Sequence, residues 1–398
     1  MNAAPHREEA FKELEQKFKD RFVPGEERHG MAARVFPGNA EEVGLVAELA
    51  KRHGLPLTLR GARTAAGLEE PAGGLLLESE LMRDITIAEE NELGVQPGVP
   101  WVELEDHLQR WGKSLRVYPT SAPRSTVGGW LARDGLGIGS YEYGWLSENV
   151  VSVQVVLPGG EKRELRGEDL ALVIGAEGTT GIIVSATLLL REAESDAPLA
   201  AVFDDAEDLA EAIRELYQAR SPLWHLGLMN PARARAGGLQ GGYILFGAYH
   251  AEVGSTLEEM ISKHKGRMLP PAEAYRAWGG RFFPAGLSGE TPFPYAVLIP
   301  NSGLADVLLQ QEREAADLAL QGTIVREGDS QLLAFRNVDG RLESPNTSDK
   351  ESLLQLAREA GGGEYAVGLR RYRGHPRYDA LQRFKSEADP KGILGAIR

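Results

Sequence analysis

Residues 59–67 read LRGARTAAG, and residues 124–139 read RSTVGGWLARDGLGIG. Both stretches mix glycines with small hydroxyl residues. That composition lets backbone N–H groups close on a phosphate without side chains in the way. The first loop offers Gly61, Ala62, Ala65, Ala66 and Gly67, with Thr64 as a hydroxyl donor and Arg60 or Arg63 as counter-charge. The second gathers Ser121, Ser125, Thr126, Gly128 and Gly129 within YPTSAPRSTVGGWLA. Two more elements share this character. LVIGAEGTTGIIV (172–184) sets Gly175, Gly178, Thr179, Thr180 and Gly181 ahead of an apolar run, and GVQPGVP (94–100) reads as a tight turn. The chemistry these loops suit is the cradling of a pyrophosphate. Taken alone, the first loop also reads as a plain turn between two strands. The glycine fingerprints that open a helix on a nicotinamide dinucleotide or on ATP are missing. GLGIGS (135–140) has the glycines, but no apolar strand precedes it and no helix is expected after it.

The elements that must position these loops follow from periodicity. Asn39 with Glu42 suggests a capping box. The run AEEVGLVAELAKRH then carries Val43, Val46, Ala47 and Ala50 on one face, and Gly54 ends the helix. LPLTL is a short buried strand that delivers the first loop. A second helix is expected from Pro100 to Gly112, with Trp101, Leu104, Leu108 and Trp111 as its buried stripe. Strands are expected at 151–157 and 181–190. Residues 30–192 thus read as one α+β domain behind an N-terminal helical segment, 1–29.

After REAESDAP the rhythm changes. Strand LAAVF leads to a helix at 205–219, strands near 223–229 and 242–248, and a helix from Ser255. The order recurs as strand 295–300, helix 303–320, strands near 322–326 and 331–335, helix 349–360 and strand EYAVGL at 364–369. Two βαββα units over 197–370 predict a duplicated ferredoxin-like layer. Residues 371–398 form a closing segment that starts with a helix.

A chain of 398 residues suits two domains. The net charge of −14 argues against nonspecific binding to nucleic acid or to an anionic membrane surface. The chain has no cysteine, which removes disulfides, thiolate catalysis, Cys-ligated zinc and Cys-ligated iron–sulfur clusters together. If the protein handles electrons, an organic cofactor must carry them, and any cluster must sit on a partner. The N-terminus lacks an apolar signal core, and no stretch reaches membrane-spanning length. The expectation is a cytoplasmic protein without membrane insertion.

The ordered motifs resemble a known family. They are Glu42-Val43, Arg60-Gly61, Thr64, Gly67, Gln96-Pro97-Gly98, Pro119, Ser125 to Gly129, Gly135, Gly137, Tyr143-Gly144, Asn149-Val150, Gly160, Asp169-Leu170, Gly175, Glu177-Gly178-Thr179 and Gly181-Ile182-Ile183. Over residues 34–192 this pattern is similar to the flavin domain of the vanillyl-alcohol oxidase/para-cresol methylhydroxylase superfamily. The branch it resembles holds glycolate oxidase subunits and D-lactate dehydrogenases. RFKSEADPKGILGAIR resembles the closing segment of that family, with GAIR in place of its asparagine-proline-glycine finish.

The resemblance implies an α+β fold: a two-subdomain flavin-binding domain of the para-cresol methylhydroxylase type, with the duplicated ferredoxin-like sheet as a cap. It implies FAD as cofactor. Residues 61–67 would hold the pyrophosphate, with Arg60, Gly61, Ala62, Arg63, Thr64 and Gly67 the named contacts. Residues 125–129, with Ser125, Thr126, Gly128 and Gly129, would run along the flavin, and Ser121 and Gly135 are further cofactor-binding positions. Residues 178–183, with Gly178, Gly181, Ile182 and Ile183, would contact the adenine side, Glu177 is a further cofactor-binding position, and Pro97, Gly98 and Pro119 would shape the pocket. Between His53 and His107 there is no histidine, and cysteine is absent throughout, so noncovalent FAD is expected.

The family also frames the reactive groups. Oxidation of a 2-hydroxy acid by hydride transfer to flavin N5 needs a cation for the carboxylate and a base for the hydroxyl proton. Arg281, in AYRAWGGRFFP, resembles the arginine that meets the substrate carboxylate in related enzymes. In LRRYRGH (369–375), Tyr372 and His375 are candidate bases and Arg371 a second cation; the same run also reads as a solvated basic strand end. Tyr141 and Tyr143 are placed to reach the flavin or to pack, and His225, inside LWHLGLM, reads as a structural histidine. The eight histidines are widely spaced and lack the cap motif of the metal-assisted branch, so no catalytic metal is expected. The expected protein is an FAD-dependent oxidoreductase acting on a small 2-hydroxy acid and passing electrons to a partner, such as an iron–sulfur subunit, or to a quinone. The alternative is a flavin-binding subunit of a glycolate oxidase-like complex with little activity alone. A related flavoenzyme acting on a sugar, lactone or phenolic alcohol ranks below both.

Overall fold

The structure, a computed structural model, describes residues 4–25, 32–62, 74–193, 196–250, 254–283 and 294–397. Three sheets organise the chain. A four-stranded sheet has Leu75–Glu78 between the parallel neighbours Ala33–Val35 and Leu57–Arg60, with Phe22–Val23 at the edge. Helix Ala40–His53 covers it and buries Val43, Val46, Ala47 and Ala50, as the periodicity requires. Asn39 caps this helix by accepting the Glu42 amide, 2.9 Å, and Gly54 ends it at φ +66°. The box is only half formed, because the Glu42 carboxylate turns to Arg21 at 2.6 Å and to the Gly38 amide at 2.7 Å. Near the C-terminus, the Ile393 carbonyl accepts the Leu57 amide at 2.7 Å, so the closing segment lies on this sheet.

The second sheet has six strands, with Ile182–Glu192 paired to Glu92–Val95, Val150–Val156 and Lys113–Leu115. Helix Trp101–Gln109 packs on it through Trp101, Leu104 and Leu108. The helix stops short of Gly112. Trp111 falls in the turn beyond and is 46% exposed, not part of the buried stripe. GLGIGS is followed by one helical turn, Ser140–Tyr143, where no helix was expected.

The third sheet has nine strands and carries the duplication. Asp196–Phe203, Tyr243–His250 and Leu223–Met229 form one half; Leu318–Ile324, Asp329–Val338 and Tyr295–Pro300 form the other. They join where Gly227 faces Thr323. Helices Ala206–Gln218, Gly254–Lys263, Leu304–Glu314 and Thr347–Glu359 cover one face, over Leu209, Ile213, Val297, Leu308, Leu332 and Leu353. The acidic run at 204–212 does start a helix, with Asp205 as its cap. The expected helix 303–320 ends at Glu314, and a strand begins at Leu318. Expected strand 364–369 is also a correction. Only Gly363–Glu364 pairs, and Gly368, at φ +63°, turns the chain into a 3-10 turn, Gly368–Tyr372. The sheet's second face, with Ala296, Gln331 and Leu333, is turned toward the loops of the first two sheets. Among the described residues no helix is long and apolar enough to cross a membrane.

Candidate functional site

A cavity of about 720 Å³ lies where the three sheets meet. Glycine loops make one wall. Arg60, Gly61 and Ala62 line it at the end of strand Leu57–Arg60. Pro97, Pro119, Ser121, Ser125, Thr126, Gly128 and Gly129 line the middle, and Glu177, Gly178, Gly181, Ile182 and Ile183 the far side. Backbone bonds lock two of the loops together. The Gly128 amide donates to the Pro97 carbonyl and the Val127 amide to that of Val99, each at 2.9 Å. Several glycines allow no side chain. A Cβ on Gly128 would stand 2.5 Å from Pro97 Cβ, and one on Gly61 would stand 2.5 Å from Thr126 Oγ1. Gly98 and Gly135 do not line the cavity. Gly98 packs beneath it, against the Ser79 carbonyl, and Gly135 sits where a Cβ would be 3.0 Å from both Trp130 Nε1 and the Tyr365 hydroxyl. Arg63, Thr64 and Gly67 lie outside the described residues.

The opposite wall comes from the nine-stranded sheet and the segment after it. Tyr295, Ala296, Gln331, Leu333, Glu364 and Tyr365 line it, with Val367, Arg370 and Arg373 beyond. The spacing of the last three is the period of a 3-10 turn, which places every third residue on one face. For that reason Arg371, Tyr372 and His375, selected from the same run in the sequence, point elsewhere. Arg371 donates to Asp134 at 2.7 Å and lies 3.2 Å over the Trp145 ring. Tyr372 is buried, 3.3 Å from the Asp134 carboxylate. His375 is exposed and caps helix Pro376–Ala388, its Nδ1 accepting the Arg377 amide at 3.2 Å. Arg281 is also outside the cavity lining: it donates to the Trp278 carbonyl at 2.8 Å and to the Tyr118 hydroxyl at 3.3 Å, stacked on Trp278 and Phe282. None of the three catalytic candidates therefore faces the cavity. Tyr141 and Tyr143 do not line it either, and Tyr141 donates to the Leu216 carbonyl at 3.0 Å. His225 is fully buried, and that burial pushes its imidazole down to about 3. Among the described residues no group of three or more His, Asp or Glu could hold a metal.

Comparison with known proteins agrees with this geometry. Residues 31–166 match the model of an FAD-binding domain family. The chain is 25% identical to the mitochondrial D-lactate dehydrogenase [cytochrome] of Arabidopsis thaliana, over 90% of this chain and 72% of that protein. It is 27% identical to glycolate oxidase subunit GlcD of Bacillus subtilis, over 47% of this chain and 43% of that one, so the aligned part spans less than half of the subunit. The fold superposes on alkyldihydroxyacetonephosphate synthase with a TM-score of 0.75 at 16% identity, covering 97% of this chain and 84% of that one. The chain carries an FAD-binding domain and is related to FAD-linked oxidoreductases.

The flavoenzyme's cavity fits its cofactor. The volume lies in the upper range for ligand sites, and close-packed glycine loops let a long, polar dinucleotide approach the backbone. Thr126 Oγ1 is buried in the cradle with no hydrogen-bond partner among the described residues, as expected of a hydroxyl kept for a ligand. One detail departs from the sequence reading. Arg60 is ion-paired to buried Glu78, so its charge is already matched. Among the described residues the cavity's other cations are Arg133, Arg370 and Arg373, none of them anticipated from sequence. Burial holds the Arg133 guanidinium below its usual value. Tyr365 accepts the Leu136 amide through its hydroxyl at 2.7 Å, and burial raises its pKa. Tyr295 is raised for the same reason. Both phenols therefore enter the cavity as protonated donors.

Proposed function

We propose that this flavoenzyme oxidises a small 2-hydroxy acid of the glycolate or D-lactate type and delivers the electrons to a partner or a quinone. The observation that carries this reading is the arginine face, Arg370 and Arg373, on the wall opposite the glycine cradle. A guanidinium fork is the natural holder of a carboxylate. The names of the relatives support it, being a D-lactate dehydrogenase and a glycolate oxidase subunit. In this reading Arg373 binds the substrate carboxylate. Glu364, itself 3.1 Å from Arg370, takes the hydroxyl proton. Tyr295 and Tyr365 donate hydrogen bonds that orient the substrate, and Ala296, Leu333 and Phe283 keep water away. FAD, held by the cradle residues that line the cavity, supplies the two-electron acceptor. With no cysteine in the chain, onward transfer to an iron–sulfur cluster needs a partner. A cytoplasmic location belongs to the same reading and rests on the acidic, cysteine-free composition.

The second reading is a flavin-binding subunit with little activity of its own. It is favoured by the placement of Arg281, Tyr372 and His375 outside the cavity lining. The visible spectrum under anaerobic conditions separates the two. Bleaching of the flavin by glycolate or by one lactate enantiomer supports the first, and a flavin that no hydroxy acid bleaches supports the second. Glu364→Gln should slow that bleaching by about 10²–10⁴-fold with flavin content unchanged.

A further inference from the structure

The sheet wall holds one polar group that the chemistry above does not use. Gln331, on strand Asp329–Val338, lines the cavity and is 2% exposed. Its carboxamide oxygen is buried with no hydrogen-bond donor among the described residues. On the sheet it faces Leu298 on one side and Thr323 on the other, with Leu333 next along the same face. Other buried glutamines of this region are satisfied. Gln321 accepts from Arg233 Nε at 3.1 Å and donates to the Arg281 carbonyl at 2.7 Å. Gln311 accepts from Asn230 at 2.9 Å. An unpaired buried amide is costly and rare, so its partner is expected in the ligand.

We propose that Gln331 is a specificity-determining residue that binds a second hydroxyl of the substrate, so that the preferred acids carry a hydroxyl beyond the one oxidised. This rests on the hydroxy-acid reading above. An amide is neutral and takes no proton, which makes it unsuited to the reacting hydroxyl. A carboxylate is better met by the arginine face. A further hydroxyl, which both donates and accepts, matches both ends of an amide. Glycerate and lactate differ by that one group, and a site built to hydrogen-bond a hydroxyl rejects the analogue lacking it.

The test is anaerobic reduction of the holoenzyme's flavin by glycerate and by lactate of the same configuration, in the wild type and in Gln331→Leu. Gln331→Met is a second variant in case the first folds poorly. The expected result is half-saturation by glycerate at least about 10-fold below that of lactate in the wild type. In the variants that advantage disappears while lactate's constant and the flavin content hold. Equal constants for the two acids in the wild type overturn the inference and leave the hydroxy-acid reading standing. So does an equal loss for both acids in the variants, or a variant that loses flavin, since Gln331 would then serve folding or the cofactor. Reduction by neither acid, nor by glycolate, overturns the hydroxy-acid reading and this inference with it.

Discussion

Asp134 shows how much one buried carboxylate can organise. It is fully buried, sits at φ +50°, and accepts from Arg371 at 2.7 Å, the Ser147 hydroxyl at 2.9 Å and the Ser147 and Gly135 amides at 3.0 Å. It thereby holds Arg371 and Tyr372 away from the cavity, whose lining Asp134 itself joins. Asp134→Ala leaves those donors unmatched and should destabilise the fold by about 3 kcal/mol, with Asp134→Asn losing less because asparagine tolerates the left-handed conformation. Urea denaturation monitored by tryptophan fluorescence measures both.

His225 allows a pH prediction. The unfolded imidazole titrates near 6.5, whereas burial holds the folded one at about 3. The unfolded state binds the extra proton in between, so the stabilising contribution is complete above pH 6.5 and is lost as pH falls toward 3. The slope is about 1.4 kcal/mol per pH unit. Denaturation of His225→Asn at several pH values between 4 and 7 should lack that slope; an unchanged slope would rule out His225 as its source. The burial of this residue was legible because every neighbour in LWHLGLM is apolar. The cavity-facing role of Arg370 and Arg373 was not, because a run of charged residues shows no phase until the turn that contains it is known.

At the scale of elements, the glycine loops were legible and the strand ends were not. Glycines in order at fixed spacing carry a steric requirement that no other residue meets. Gly98 illustrates it: a Cβ would overlap the Ser79 carbonyl oxygen and stand 2.8 Å from that of Met82, both of them backbone. Gly98→Ala should cost at least about 2 kcal/mol and lower flavin occupancy in the purified protein. Gly54→Ala is the control. Its φ of +66° carries strain, but nothing lies within 4 Å of the added carbon, so about 1 kcal/mol is lost and flavin content stays. Equal flavin loss in both variants would mean that general destabilisation, not the turn, governs occupancy. By contrast, the boundary between helix Leu304–Glu314 and strand Leu318–Ile324 is hidden in the run ADLAL, whose alanines and leucines favour a helix. Local propensity favours extending the helix there, and pairing with strand Asp329–Val338 overrides it.

At the scale of the whole molecule, the cavity ties three sheets to one ligand. Leu59 and Leu77 come from the four-stranded sheet, Ile182 and Ile183 from the six-stranded one, and Gln331 and Leu333 from the nine-stranded one. A cofactor bound there stabilises all three layers together, by about 2.7 kcal/mol at a free concentration 100 times its dissociation constant. The histidine-free, cysteine-free lining offers neither of those side chains for a covalent link among the described residues. Acid precipitation should therefore release the flavin into the supernatant. The apoprotein should melt at a lower temperature and regain the higher one when FAD is added back. A pellet that stays yellow would overturn noncovalent attachment and point to Tyr295 or Tyr365, the tyrosines of the cap wall. A released flavin without any change in melting temperature would mean that the three layers are held by their own contacts: the Phe283 amide on the Thr120 carbonyl, Trp224 on the Arg116 carbonyl, and Tyr365 on the Leu136 amide. In that case the cap is preorganised over the cradle before the cofactor arrives.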